Sequence, residues 1–253
     1  MNSYTKNLNR IEFLVTLACT GRCKHCSEGD HTNIGRHIDG DAAAEMVRKV
    51  TERYNIESLM TFGGEPLLYP EEVYKIHTAA RDMKIPKRQL ITNGFFTRDI
   101  DRIQNVAEML AESGITDILL SVDAFHQETI PLEPVMAFAE AVLERNSATL
   151  RLNPAWLVGE DADNPYNCRT RVILKEFQAM GIESASGNVI FPEGNALKYL
   201  GEYFDSGTPQ VSPYAEDPAD IHAICVNPDG GVLGKNLYKT DILEILESHN
   251  PEA

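Results

Sequence analysis

Three cysteines within eight residues, Cys19, Cys23 and Cys26, are the side chains of this sequence best suited to do chemistry. They stand as C-x-x-x-C-x-x-C in LACTGRCKHCSEG, which puts three thiolates on one loop. Three thiolates can hold three irons of a cubane cluster and leave the fourth iron without a protein ligand. An open metal position is what a catalytic centre needs, whereas structural sites are closed. Gly21 lets the loop wrap tightly. Two other readings fit the same loop. His25 or His31 would complete a structural zinc site, and Cys168 or Cys225 would complete a four-cysteine electron-transfer cluster.

The loop follows the first of several short apolar runs. Ile11–Leu17, Ser58–Phe62, Gln89–Thr92, Asp117–Val122, Leu150–Val158 and Asn188–Phe191 are nearly continuous in apolar residues, as parallel strands buried on both faces are. Between them run helical stripes. Ala43, Met46, Val47, Val50 and Tyr54 share a face of a helix over Asp41–Tyr54, with Asp41 as its cap. Pro70 opens a second helix, and Gly114 and Gly181 close the third and fifth. Val135, Phe138, Ala139 and Val142 mark the fourth. Strand–helix units of roughly 30 residues predict right-handed crossovers and a parallel sheet. About six units are too few to close an eight-stranded barrel. Ligands of such sheets bind at the strand C-termini. Beyond Pro192 the pattern weakens: residues 206–220 predict loop, Ala223–Leu233 a hairpin around Asp229-Gly230, and Asp241–Ser248 a short helix.

Composition narrows the function classes. The 253 residues are 43% hydrophobic and 24% charged, near globular averages. No apolar run is long enough to span a membrane, and no signal peptide precedes the first strand, so the expectation is a cytoplasmic protein without a membrane partner. A net charge of −15 argues against a nucleic-acid partner. Five cysteines, three of them clustered, fit a metal site better than a disulfide framework. Cys168 and Cys225 stand alone and are expected to be small buried apolar groups.

The cysteine spacing resembles the signature of the radical S-adenosylmethionine (SAM) superfamily. Gly63-Gly64-Glu65-Pro66 follows the second strand, Thr92-Asn93-Gly94 ends the third and Ser121-Val122-Asp123 ends the fourth, in that family's order. Singly, each is an ordinary turn or strand end; together they carry the resemblance over about residues 10–195. It implies an α/β fold, a partial (β/α)6 TIM-type barrel over residues 1–205, with a C-terminal loop, hairpin and helix over 206–253. It implies one [4Fe-4S] cluster on Cys19, Cys23 and Cys26, with SAM chelating the open iron. Gly63, Gly64 and Glu65 would face the SAM ammonium. Ser121 and Asp123 would face the ribose, and His25 and the backbone at Val189 the adenine. Arg151 is a candidate for the SAM carboxylate, and Asn93 and Asn153 belong to the mouth. His126 is a candidate acid/base, and Cys225 a candidate hydrogen-atom donor or substrate anchor.

The implied reaction is reductive cleavage of SAM to a 5′-deoxyadenosyl radical that abstracts hydrogen from a substrate. The tail resembles the start of a SPASM extension without its auxiliary-cluster cysteines. Peptide maturation is therefore the first choice of substrate class, a small metabolite the second and glycyl-radical activation of a protein the third. No recognition extension precedes the first strand, which weakens a leader-dependent role. An electron donor such as flavodoxin or ferredoxin is implied. From another class, the chain would be a non-catalytic iron–sulfur or zinc protein or a regulator on the same scaffold.

Overall fold

The computed structural model describes residues 2–29, 35–204 and 215–252. The first part of the chain alternates regularly: β1 (Arg10–Leu14), α1 (Gly40–Thr51), β2 (Ser58–Phe62), α2 (Pro70–Asp82), β3 (Lys87–Thr92) and α3 (Ile100–Ser113). It continues with β4 (Asp117–Leu120), α4 (Leu132–Arg145), β5 (Thr149–Leu152), β6 (Ala155–Trp156) and α5 (Pro165–Gln178). Shorter pieces follow: β7 (Glu183–Ser184), β8 (Asn188–Val189), α6 (Gly194–Leu200), β9 (Ala223–Val226), β10 (Gly231–Val232), β11 (Lys235–Asn236) and α7 (Ile242–Glu247).

Seven strands form one parallel sheet in the order β7-β5-β4-β3-β2-β1-β9. The sheet is not closed: β7 and β9 are its two edges. Strand alternation splits its residues between two faces. Ile11, Phe13, Leu59, Leu90, Ile118, Leu120, Leu152, Ile224 and Val226 are buried in the main core with the helices. The alternate positions Glu12, Met60, Gln89 and Asp117, with Cys225 beside Glu12, form a register layer on the inner face. No helix among the described residues is long and apolar enough to cross a membrane.

The α/β partial barrel expected from the sequence is the observed architecture, with differences in its second half. The predicted strand Leu150–Val158 is two strands, β5 and β6, separated by Asn153-Pro154, because proline lacks the ladder donor. The neighbour of β5 is β7, which carries no apolar signal; the predicted sixth strand, β8, pairs with β6 in a separate two-stranded sheet. The expected hairpin is also redrawn. Its first arm, β9, joins the main sheet parallel to β1, and the antiparallel pair is β10 with β11. Helix α1 is capped by Asp39, whose carboxylate accepts from Asp41 N and Ala42 N, so Asp41 lies in the first turn. Residues 206–214 of the predicted loop lie outside the described residues.

Candidate active site

The cysteine loop leaves β1 and is pinned from three sides. From β2, Gly64 N donates to Thr16 O and Glu65 N to Ala18 O. From β3, Asn93 Nδ2 lies 3.5 Å from Cys19 Sγ and donates to Thr20 Oγ1 at 3.3 Å. From α6, Asn195 N donates to Cys26 O, while its Nδ2 donates to Cys23 O and Gly29 O, both at 3.3 Å. The two glycines are required by this packing. A Cβ on Gly64 would stand 2.2 Å from Ala18 O, and one on Gly63, at φ +146°, 2.5 Å from Thr16 O.

Burial dominates the thiols. It pushes Cys19 up to about 12 and raises Cys23 and Cys26 as well; charge on one of the three disfavours charge on another. Three neighbouring thiolates, one buried and two half-buried, are therefore unfavourable by themselves and become favourable when irons supply positive charge, since coordination deprotonates a thiol outright. With a cradle that admits no Cβ, this donor set fits a [4Fe-4S] cluster held by Cys19, Cys23 and Cys26. Two buried atoms without a partner belong to residues of the cysteine loop and the β4 loop, His25 Nδ1 and Gln127 Nε2.

Two sealed carboxylates hold the mouth together. Glu65 is fully buried; Oε1 accepts from Leu67 N at 2.9 Å and Thr92 Oγ1 at 2.7 Å, and Oε2 from Asn93 N at 2.8 Å. Burial outweighs these donors and raises its carboxyl to about 7. Asp123 is equally buried; Oδ1 accepts from Phe125 N and His126 N, and Oδ2 from His126 Nδ1 at 2.8 Å and Ala155 N at 2.9 Å. Burial raises this carboxyl too, but the facing His126 and the hydrogen bonds it makes win and hold it below the usual carboxylate range. Both acids, expected to face SAM directly, are committed to protein donors. Glu65 ties β2 to β3, and Asp123 ties the β4 loop to β6.

The other expected site residues divide into two groups. Ser121, nearly buried, follows β4, and Asn153, whose backbone N donates to Leu120 O, follows β5; both sit at strand C-termini. His25 lies 5.1 Å from the Phe125 ring and 4.9 Å from the His126 ring, and burial lowers its imidazole to about 4. Arg151 departs from its expected place at the SAM carboxylate. Its guanidinium is held at 3.0 Å by Asp117, the first residue of β4, at the end of the strand away from the mouth. Val189 lies on β8, outside the main sheet, with an exposed side chain. Cys225 is not the buried apolar group expected; it is exposed on the inner face beside Glu12, where surrounding atoms still push its thiol to about 12. Cys168 is exposed as well, with Sγ 3.4 Å from Asp163 Oδ1. His31 lies outside the described residues.

Two contributors escaped the sequence reading, Gln127, whose Oε1 accepts from Asp123 N, and Asn195; Thr92, read only as part of a strand-end motif, donates to Glu65 and accepts from Gly94 N. A signal existed for the last. Gly194, in the turn sequence Pro192-Glu193-Gly194, has φ +52°, and a Cβ there would stand 2.2 Å from Ser27 O, so only glycine lets α6 reach the cysteine loop.

Known proteins resemble the chain in sequence and in fold. The probable GTP 3′,8-cyclase of Methanocaldococcus jannaschii is 24% identical over 128 residues, 50% of this chain and 40% of that protein. The chain spans about half the length of the curated relatives it matches. In fold, Streptococcus suis SuiB bound to precursor peptide SuiA superposes with TM-score 0.62 at 12% identity, covering 97% of this chain and 65% of that one. Native anSMEcpe with bound AdoMet gives 0.60 at 15% identity, covering 97% and 82%. The family model of the radical SAM superfamily matches residues 13–148, more than half of the chain, and with the three-cysteine loop inside that span the chain belongs to this superfamily of enzymes, which use a [4Fe-4S] cluster and SAM.

Proposed function

We propose that the chain binds a single [4Fe-4S] cluster through Cys19, Cys23 and Cys26, cleaves SAM reductively and takes a hydrogen atom from a peptide substrate. The observation that carries this is the three-cysteine loop, with Cys23 buried and Cys19 and Cys26 half-buried, whose leading residues Thr16–Ala18 press onto Gly63-Gly64. When bound, the cluster supplies an electron to the sulfonium and SAM supplies the 5′-deoxyadenosyl radical. The chain's own residues do the rest. Glu65 and Asn93 fix the loop against β3. Ser121, Asn153, Gln127 and His25 present polar groups for the nucleoside.

A peptide is favoured over a nucleoside triphosphate by the charges of the inner face. Arg10 is paired to Glu12 at 2.6 Å and Arg151 to Asp117 at 3.0 Å. Both inner-strand arginines thus already have a carboxylate partner, which leaves less positive charge for a triphosphate. The fold-level likeness to proteins solved with peptides agrees with this. A small flavodoxin- or ferredoxin-type protein would supply the electron.

The test is anaerobic reconstitution of the full chain, followed by SAM and a strong reductant. The expected products are 5′-deoxyadenosine and methionine, lost in Cys23→Ala. Protein carrying about four irons per chain that forms neither product sinks the reading. Stimulation of product formation by GTP and by no peptide would overturn the substrate class alone.

A further inference from the structure

We propose that the chain, before its cluster is assembled, holds a zinc ion on Cys23, His25 and His126, and that ion and cluster exclude one another because both require Cys23. The exclusion rests on the cluster reading above; the zinc site itself does not. One ligand atom from each of the three residues lies within 4.8 Å of the other two. Tetrahedral zinc, with bonds of about 2.0–2.3 Å, needs ligand atoms ~3.5 Å apart. Binding would draw the three ligand atoms together by roughly 1 Å. A sulfur and two imidazole nitrogens suit zinc, and the fourth position is left to water.

Two features point to a metal rather than to chance proximity. His126 gives its Nδ1 proton to the Asp123 carboxylate at 2.8 Å, which fixes the tautomer and leaves Nε2 as the lone-pair nitrogen. A carboxylate behind a histidine is the usual outer partner of a zinc ligand, and Asp123 is itself held rigid by Phe125 N, His126 N and Ala155 N. On the other side, His25 Nδ1 is buried with no hydrogen-bond partner. Cys19 takes no part in this trio; its Sγ accepts from Gly21 N at 3.3 Å and lies against Asn93. Binding would release the Cys23 thiol proton to solvent, with no change of oxidation state.

Cobalt is the probe, added anaerobically to the reduced, cluster-free full chain. The expected result is one equivalent bound with a tetrahedral, single-thiolate spectrum and displaced by zinc. Cys19→Ala should keep cobalt affinity within about twofold although it removes a cluster ligand. His126→Gln and His25→Gln should each weaken it by about tenfold or more, while keeping the wild-type circular dichroism and still assembling a cluster. Zinc-loaded protein should assemble its cluster more slowly than chelator-treated protein. Loss of cobalt in Cys19→Ala would assign the ion to the three thiols and overturn the proposal. So would unchanged affinity in His126→Gln, a variant that no longer folds or assembles its cluster, or equal assembly rates with and without zinc. A chain that binds cobalt in the expected pattern but makes no 5′-deoxyadenosine would remove the proposed function and leave the zinc site standing.

Discussion

Glu65 and Asp123 are both fully buried carboxylates at the rim of the same sheet, yet their acidities move in opposite directions. Glu65 meets a hydroxyl and two backbone N–H groups, all neutral, and burial prevails. Asp123 meets three backbone N–H groups and an imidazole that can carry charge, and the ionised form prevails. Charge sits stably at the β4 corner and reluctantly at the β2–β3 corner. A sealed acid is therefore either a staple or a charged anchor, depending on one ionisable neighbour.

The largest effect that tests this contrast is expected from Asp123→Ala. It strands three buried donors and removes the partner of a histidine, so metal-free protein should lose about 3–5 kcal/mol in chemical denaturation. Glu65→Ala strands only neutral donors and should lose about 1–3 kcal/mol. Equal losses would break the contrast.

Next comes pH. The folded value of Glu65, about 7, lies above its ordinary 4.5, so the folded chain holds the proton more tightly than the unfolded one. Its contribution is complete below about pH 4.5 and is lost as the pH rises towards 7, by about 3 kcal/mol for a shift of this size. Asp123 has the opposite sign: its depressed value gives stability above the usual carboxylate range that is lost as the pH falls below it. Buried histidines such as His25 tilt both proteins the other way, so the stability of metal-free wild type minus that of Glu65→Gln should fall between about pH 5 and 7. A smaller effect belongs to Gly64→Ala. Its Cβ would meet Ala18 O at 2.2 Å, and a backbone shift worth about 1–3 kcal/mol should move Cys19 and lower the iron content after reconstitution.

The first half of the barrel was legible because each strand there, four to six residues long, carries an apolar stretch that leads into its motif. Ser58–Phe62 coincides with β2 to the residue. The second half was not, because β7 and β8 are two exposed residues each, placed by register on β5 and β6 rather than by their own hydrophobicity. Within the site, the loop cysteines and the glycines were legible from spacing. The inward turn of Glu65 and Asp123 was not, since a motif names a residue without saying which of its neighbours will satisfy it. Arg151 illustrates the same limit: its acidic partner Asp117 lies 34 positions away in sequence and one strand away in space.

The smallest expected effects lie outside both corners and separate the two solitary cysteines. Cys168 is exposed on α5 and packs in no core, so Cys168→Ser should change stability by no more than about 0.5 kcal/mol and leave 5′-deoxyadenosine formation unaltered. Cys225→Ser should be as mild for folding, since that side chain faces the hollow of the sheet rather than the helices. If Cys225, beside Glu12 on the inner face, anchors substrate, the loss should fall on substrate-dependent turnover and spare SAM cleavage alone. Product assays with and without substrate divide these outcomes. Equal turnover in the two serine variants would reduce Cys225 to a lining residue and leave Glu65 and Asp123 as the groups on which the mouth depends.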